Sequence, residues 1–454
     1  MSIRRALPSL TALAVALAAS CDTRPDYGLD AIDSMQTPPD DPSLGCGVVL
    51  TPDANKATDR AGCTYSAGAH PSESLGIPKA TLAQIPIRHV IVLMKENRSF
   101  DELLGKLHDL GQPDSEAVPA SYTNPDAQGN PVSPSHAQTT CIPFDPEHQS
   151  AAMARCVDGG KMDGFVQNAA ATTASDGSFA IQYYDDTDLP FYYWLASTFA
   201  LGDRDFAPTV SGTYANRAFS LFATNAGVVD TGIQYPPPNT PSIFQSLMNA
   251  GFTWGAYSDG LLLSGTLDWV QGDPGTHSMQ ELYDALDKGT LPNVAFVDGR
   301  ENYEDDHPLA DLQLGEAWVK KLYDHAVTSP QWQRLAIVWT YDECGAFADH
   351  VPPPSACRAA PSGSPFTEMG PRVPLVVISP WAKRHFVSHV VRDHTATLRL
   401  IEALFDLPAL TARDANSDAL LDMFDFSCGR DLSVQPAPDA GKNGCPNPSP
   451  PGTD

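Results

Sequence analysis

What the chain has little of narrows its function first. Positive charge is scarce, with 28 Lys and Arg against 55 Asp and Glu, a net charge of −27 over 454 residues. That balance argues against a nucleic-acid partner, which would need a basic face. Ser211 and Ser379 lie in no Gly-x-Ser-x-Gly elbow, which argues against a serine esterase. No Cys-x-x-Cys or Cys/His spacing marks a thiolate metal site, and the chain carries no obvious internal repeat. Its one long apolar run, Leu7 to Ala19, is too short to persist as a transmembrane helix.

That run follows Arg4 and Arg5 and ends in Ser20-Cys21, the form of a targeting segment over residues 1–21. Leu17-Ala18-Ala19-Ser20-Cys21 resembles a bacterial lipoprotein box. It implies an outer-membrane or cell-surface protein held to the membrane by a lipid on Cys21. Without lipidation the chain would be periplasmic or secreted. Export suits the remaining cysteines, Cys46, Cys63, Cys141, Cys156, Cys344, Cys357, Cys428 and Cys445, which read as disulfide staples. By sequence they form near-neighbour pairs: 46 with 63, 141 with 156, 344 with 357, 428 with 445. Residues 22–85 read as a Pro-rich tether and irregular arm, and 427–454 as a disordered or disulfide-pinned tail.

Between them, residues 86–426 alternate apolar runs with helical patterns. His89 to Met94, Asn293 to Val297, Leu335 to Trp339 and Pro374 to Ile378 are expected as buried parallel strands. Helices are expected over Ala215 to Ala223, Gly315 to Val327, and Thr395 to Phe405 with Asp393 as cap. This alternation predicts an α/β sandwich with a mostly parallel central sheet. Residues 106–200 are expected as a loop-rich insertion over the active face.

In such sheets ligands sit beyond the carboxyl ends of the strands. Glu96-Asn97 follows the first strand and Asp342-Glu343 the third. If these strands are neighbours, three carboxylates and an amide oxygen converge. Carboxylates that close repel one another, and a divalent cation is the natural compensation. Oxygen ligands suit Mg, Ca or Mn, and added His would admit Zn or Fe. Taken singly, these are also ordinary acidic turns. Thr213 falls near a helix N-terminus, where amide N–H groups favour an anion. Such a hydroxyl is a nucleophile only once a metal or base takes its proton, and otherwise a helix cap. Arg217 on the same helix could grip a phosphate oxygen or form a surface salt bridge. His307, in Glu304-Asp305-Asp306-His307-Pro308, and His148 could ligate a metal or protonate a leaving oxygen, or be structural. Asp349-His350 reads as structural.

Taken in order, these segments resemble the bacterial phosphoesterase family of non-haemolytic phospholipases C and periplasmic acid phosphatases. The matching stretches are HVIVLMKENRSFDELLG at 89, GGKMDGFV at 159, APTVSGTYANR at 207, LPNVAFVDG at 291, and DDHP at 305. They continue with the WTYDECGAFADH stretch, RVPLVVISPWAK at 372, DHTATLRLIEALFDLPALTARDA at 393, and FDF at 424. The resemblance implies an alkaline-phosphatase-like core over 86–426. It implies Glu96, Asn97, Asp342 and Glu343 as metal or phosphate-site ligands, and Thr213 as nucleophile. His307 and His148 would serve the phosphoryl oxygens or leaving group, with Arg217, Asn216 and Asp306 on the substrate side. A Thr at the nucleophile position leans towards the phospholipase branch. The implied cofactor is a divalent ion (Ca, Zn, Mg or Mn) and the substrate a phosphate ester, phospholipid or monoester. An inactive binding protein on the same fold is the contrasting expectation. Ala346 and Ala348 stand where the family has Gly and an aromatic residue, which bears on loop geometry.

Overall fold

The computed structural model describes residues 46–50, 53–228, 240–260, 276–357, 367–442 and 445. The targeting segment with Cys21, and residues 22–45, 51 and 52 of the expected tether, lie outside the described residues. Among the described residues, no helix is long and apolar enough to cross a membrane.

The first strand, β1 (His89–Lys95), is buried at every position after His89. A strand with both faces buried needs a layer on each side, so its apolar residues run continuously instead of alternating. The sheet adds β2 (Ala200–Gly202), β3 (Trp254–Tyr257), β4 (Thr276–His277), β5 (Val294–Asp298), β6 (Leu335–Tyr341), β7 (Leu375–Ile378) and β8 (Phe386–Ser388). Their order is β8-β2-β7-β6-β1-β5-β3-β4. All run parallel except β7, which is antiparallel to both β6 and β2. The run at Pro374 to Ile378 was expected as parallel. A strand buried on both faces has the same composition in either direction, so its sequence carries no sign of polarity.

Register locates the outer layers. Val92 aligns with Phe296 and Val338, and Leu93 with Val297 and Trp339, so Phe296 and Trp339 point to opposite faces. Phe296 meets Phe244 of α6 (Ile243–Asn249) at 5.0 Å, and Trp339 meets Tyr192 of α4 (Pro190–Thr198) at 4.5 Å. Helix α4 packs with α8 (Leu312–Thr328), which packs with α7 (Met279–Lys288). Helix α6 packs with α5 (Thr213–Phe222), which packs with α9 (Thr395–Phe405). The result is the expected three-layer α/β sandwich.

The stretch 106–200 holds more helix than a loop-rich insertion: α2 (Ser150–Val157), α3 (Phe165–Thr172) and α4, after the short α1 (Phe100–Leu104). Helix α4, PFYYWLAST, is buried almost all round, so no 3.6-residue stripe betrays it. The disulfides also differ from near-neighbour pairing. Cys46 joins Cys428, Cys63 joins Cys357, and Cys141 joins Cys445. Cys156 and Cys344 are free and buried. Each bond ties an arm or tail residue to a distant segment, and only the fold brings those segments together.

Candidate active site

Because β1 lies between β5 and β6, three strand ends meet at one edge. Met94 pairs with Asp298 and Lys95 with Tyr341, so Glu96-Asn97 emerges beside Asp342-Glu343. Asn97 takes a left-handed backbone, φ +57°, and its N–H donates to Asp342 Oδ1 at 3.0 Å. Gly345 turns the other strand exit at φ +61°, and a Cβ there would lie 2.6 Å from the Asn97 carbonyl. Ala346, in place of the family's Gly, is also left-handed at φ +57°, a conformation that costs an L-residue roughly 1–2 kcal/mol.

Of the four expected ligands, Glu96, Asn97 and Glu343 lie together, and Asp342 adjoins them through the Asn97 backbone N–H. The Asn97 amide lies 3.2 Å from Glu96 Oε2 and 2.7 Å from Glu343 Oε1 at one end, and 3.0 Å from His307 Nε2 and 3.3 Å from His148 Nε2 at the other. With its NH₂ towards the carboxylates it donates to both, the favoured arrangement in a metal-free protein. With Oδ1 towards them, amide, carboxylate and Thr213 hydroxyl oxygens crowd one point, as a hard divalent cation requires. Asp342 Oδ2 is buried with no hydrogen-bond partner. Glu96, Asp298 and Asp342 are all buried around a single guanidinium, that of Arg217, and Glu343 is buried beside them with His148 Nε2 at 4.0 Å. This excess of buried negative charge and the orphaned oxygen fit a divalent metal held by Glu96, Asn97, Asp342 and Glu343. Burial pushes the carboxyl of Glu343 up to about 8, opposed by His148 and reinforced by Asp342. Burial likewise lifts Glu96 well above the usual range, against the pull of Arg217.

Helix α5 brings Thr213. Its N-cap is Gly212, so the Thr213 hydroxyl is not spent on capping. It donates to Glu96 Oε2 at 3.3 Å and lies 3.5 Å from Asn97 Oδ1. His148 Nδ1 sits 2.7 Å from the Pro146 carbonyl and His307 Nδ1 3.0 Å from that of Pro308, which aims both Nε2 atoms inwards. Burial lowers His148, but Glu343 and Asp145 outweigh it and hold the ring towards its charged form. His307 goes the other way, lowered by burial against the pull of Asp145. A cavity of about 350 Å³ opens between these groups, lined by Glu96, Thr213, Tyr214, Asp145, His148 and His307.

Arg217, Asn216 and Asp306 stand behind the cavity instead of lining it. Arg217 binds Glu96 and Asp298, with Nε 3.6 Å from Asp342 Oδ2. Asn216 holds the backbone of Thr209, Ser211 and Gly212, shaping the nucleophile loop. Asp306 is fully buried with Lys95 at 2.7 Å, Tyr341 at 2.6 Å and Tyr192 at 3.0 Å. Asp349 and His350 surround Arg372 with Asp101, a buried structural cluster.

Sequence reasoning missed Asp145, whose carboxylate groups with His148 and His307 at ligand-forming distance. It stands in Phe144-Asp145-Pro146-Glu147-His148, and an acid three residues before a candidate His was the available signal. The importance of Asp298 was hidden too, because only register shows that Arg217 reaches it.

Residues 87–408 match the profile of the Phosphoesterase family. Non-specific phospholipase C3 of Arabidopsis thaliana is 30% identical, over 72% of this chain and 72% of its own. Phospholipase C B of Mycobacterium tuberculosis is 29% identical, over 75% of this chain and 78% of its own. The non-hemolytic phospholipase C of Burkholderia pseudomallei is 27% identical over 74% of this chain, which spans 57% of that protein. A solved protein of the alkaline phosphatase superfamily from Vibrio parahaemolyticus is 10% identical with a TM-score of 0.39, covering 82% of this chain and 79% of its own.

Proposed function

The chain belongs to the phosphoesterase family, and from that premise we propose a metal-dependent phosphoesterase that cleaves phosphodiesters of phospholipid type through a Thr213 nucleophile. The observation that carries this reading is the Thr213 hydroxyl, at a helix N-terminus facing the cavity and donating into the Glu96, Asn97, Glu343 cluster. A divalent cation there would supply charge to lower the hydroxyl pKa and to neutralise a phosphoryl oxygen. Thr213 Oγ1 passes its proton to Glu96 and attacks phosphorus in line with the leaving oxygen. The N–H groups at the start of α5 and the His148 imidazole face the phosphoryl oxygens. His307 and His148 are the imidazoles within reach of the departing oxygen, and one proton from them completes the alcohol. Water, giving one proton to the imidazole that released one, then attacks the phosphothreonine; the P–Oγ1 bond breaks, and the proton held on Glu96 returns to Thr213 Oγ1. Arg217, Asn216 and Asp306 act as supports: they hold Glu96, the nucleophile loop and the His307 loop.

The diester assignment rests on the relatives, which are named phospholipases C. In this reading residues 86–426 form the catalytic domain, and a lipid on Cys21 holds the exported protein at its membrane substrate. The test is hydrolysis of paired chromogenic substrates, a phosphomonoester and a phosphorylcholine diester, with EDTA and divalent-metal add-back. Metal-restored diester turnover is expected. Monoester turnover alone would make the protein a phosphatase, and turnover of neither would favour a binding role. Thr213→Val should lower kcat by at least about a thousandfold with the fold intact, and substantial remaining turnover would remove Thr213 as nucleophile.

A further inference from the structure

Neither imidazole stands on a regular element. His148 ends the loop that begins near Thr139, and His307 lies in the turn before α8. Each ring is oriented by a carbonyl of its own loop, so a shift of the loop carries the ring with it. Asp311 joins the two loops. Its Oδ1 accepts from Thr140 Oγ1 at 2.7 Å and caps α8 through the Gln313 N–H at 3.0 Å. Its Oδ2 accepts from the Cys445 N–H at 2.9 Å. Around it, Leu309 N–H donates to the Ile142 carbonyl and Leu312 N–H to the Thr140 carbonyl, each at 3.2 Å.

The tail segment closes this junction covalently through the Cys141–Cys445 disulfide. Gly441 seats it on α8, its N–H donating to Glu316 Oε2 at 2.7 Å, where a Cβ would come within 2.5 Å of Gln313 Nε2 and the Asp188 carbonyl. Cys141, Asp311 and Cys445 therefore come together as a brace and not as a metal site.

We propose that Asp311, Gly441 and the Cys141–Cys445 disulfide are positioning elements that set the distance between His148 and His307 across the cavity. The inference rests on the role given to the two imidazoles above. Its test uses the full chain carrying ¹⁵N-labelled histidine, unaltered and as Thr140→Val and Cys141→Ser/Cys445→Ser. The imidazole resonances of His148 and His307 should shift in both variants while those of His70 and His277 hold still. kcat on the chromogenic substrate should fall about tenfold to a hundredfold with KM changed by less than about twofold. Placed in a His148→Gln background, the same changes should cost little more, because the group they position is already gone. Unmoved imidazole signals, or an equal loss in both backgrounds, would overturn the proposal. If the cysteine variant does not fold, Thr140→Val decides alone. If the unaltered protein hydrolyses neither substrate, the functional reading fails, and the imidazole shifts still decide this one.

Discussion

Replacing Gly315 with Ala sets local against tertiary energetics. Gly315 lies in the first turn of α8, where Ala would favour the helix by about 1 kcal/mol. Yet a Cβ on Gly315 would lie 1.7 Å from Asp306 Oδ1 and 2.6 Å from Lys95 Nζ. Neither side chain has room to swing away. Both are fully buried, Asp306 is held by Tyr192 and Tyr341, and Lys95 Nζ donates to Tyr192 at 2.6 Å. Overpacking costs roughly 1–3 kcal/mol and breaking a buried ion pair roughly 3–5 kcal/mol. The two overlap, so after the helix gain the net loss is on the order of 2–4 kcal/mol. Urea unfolding of the metal-free protein measures it. Because Lys95 precedes Glu96 and Asp306 precedes His307, turnover should fall with the midpoint. A midpoint unchanged or raised would refute the reasoning, since propensity alone would then have decided the outcome.

Two further expectations concern charge. Arg217→Met leaves Glu96, Asp298 and Asp342 buried without their guanidinium, which should cost roughly 3–5 kcal/mol, partly recovered by added Ca or Mg. A denaturation midpoint indifferent to the substitution would contradict that role. Glu343 is lifted from 4.5 to about 8 in the metal-free fold, so folding binds a proton there that the unfolded chain has released. Its contribution to stability is whole below about pH 4.5 and is lost as pH rises through about 8. A bound cation displaces that proton, so the gain in melting temperature over an EDTA-treated sample should widen from about pH 5 to about pH 8. A gain that stays constant across that range would count against Glu343 as a ligand.

The chain by itself determined the elements that are long, apolar or chemically punctuated. Strands β1, β5 and β6 were legible because burial on both faces makes them unbroken apolar runs. Helix α9 was legible in extent, but its N-cap is His394 and not the expected Asp393, which lies one residue earlier and accepts from the Thr395 N–H. The strand-end pairs Glu96-Asn97 and Asp342-Glu343, with Thr213 at the start of α5, were legible because chemistry collects where strands and helices end. What only the tertiary structure decided depends on which segments meet. The direction of β7 was hidden by a composition that is the same read either way. Helix α4 was hidden by burial all round, and β2 and β8 by their three-residue lengths. Disulfide partners far apart in the chain, the Arg217 contacts to three strand ends, and Asp145 beside His307 are facts of register and loop closure. Local sequence carries period and charge, whereas these pairings are set by packing among segments hundreds of residues apart.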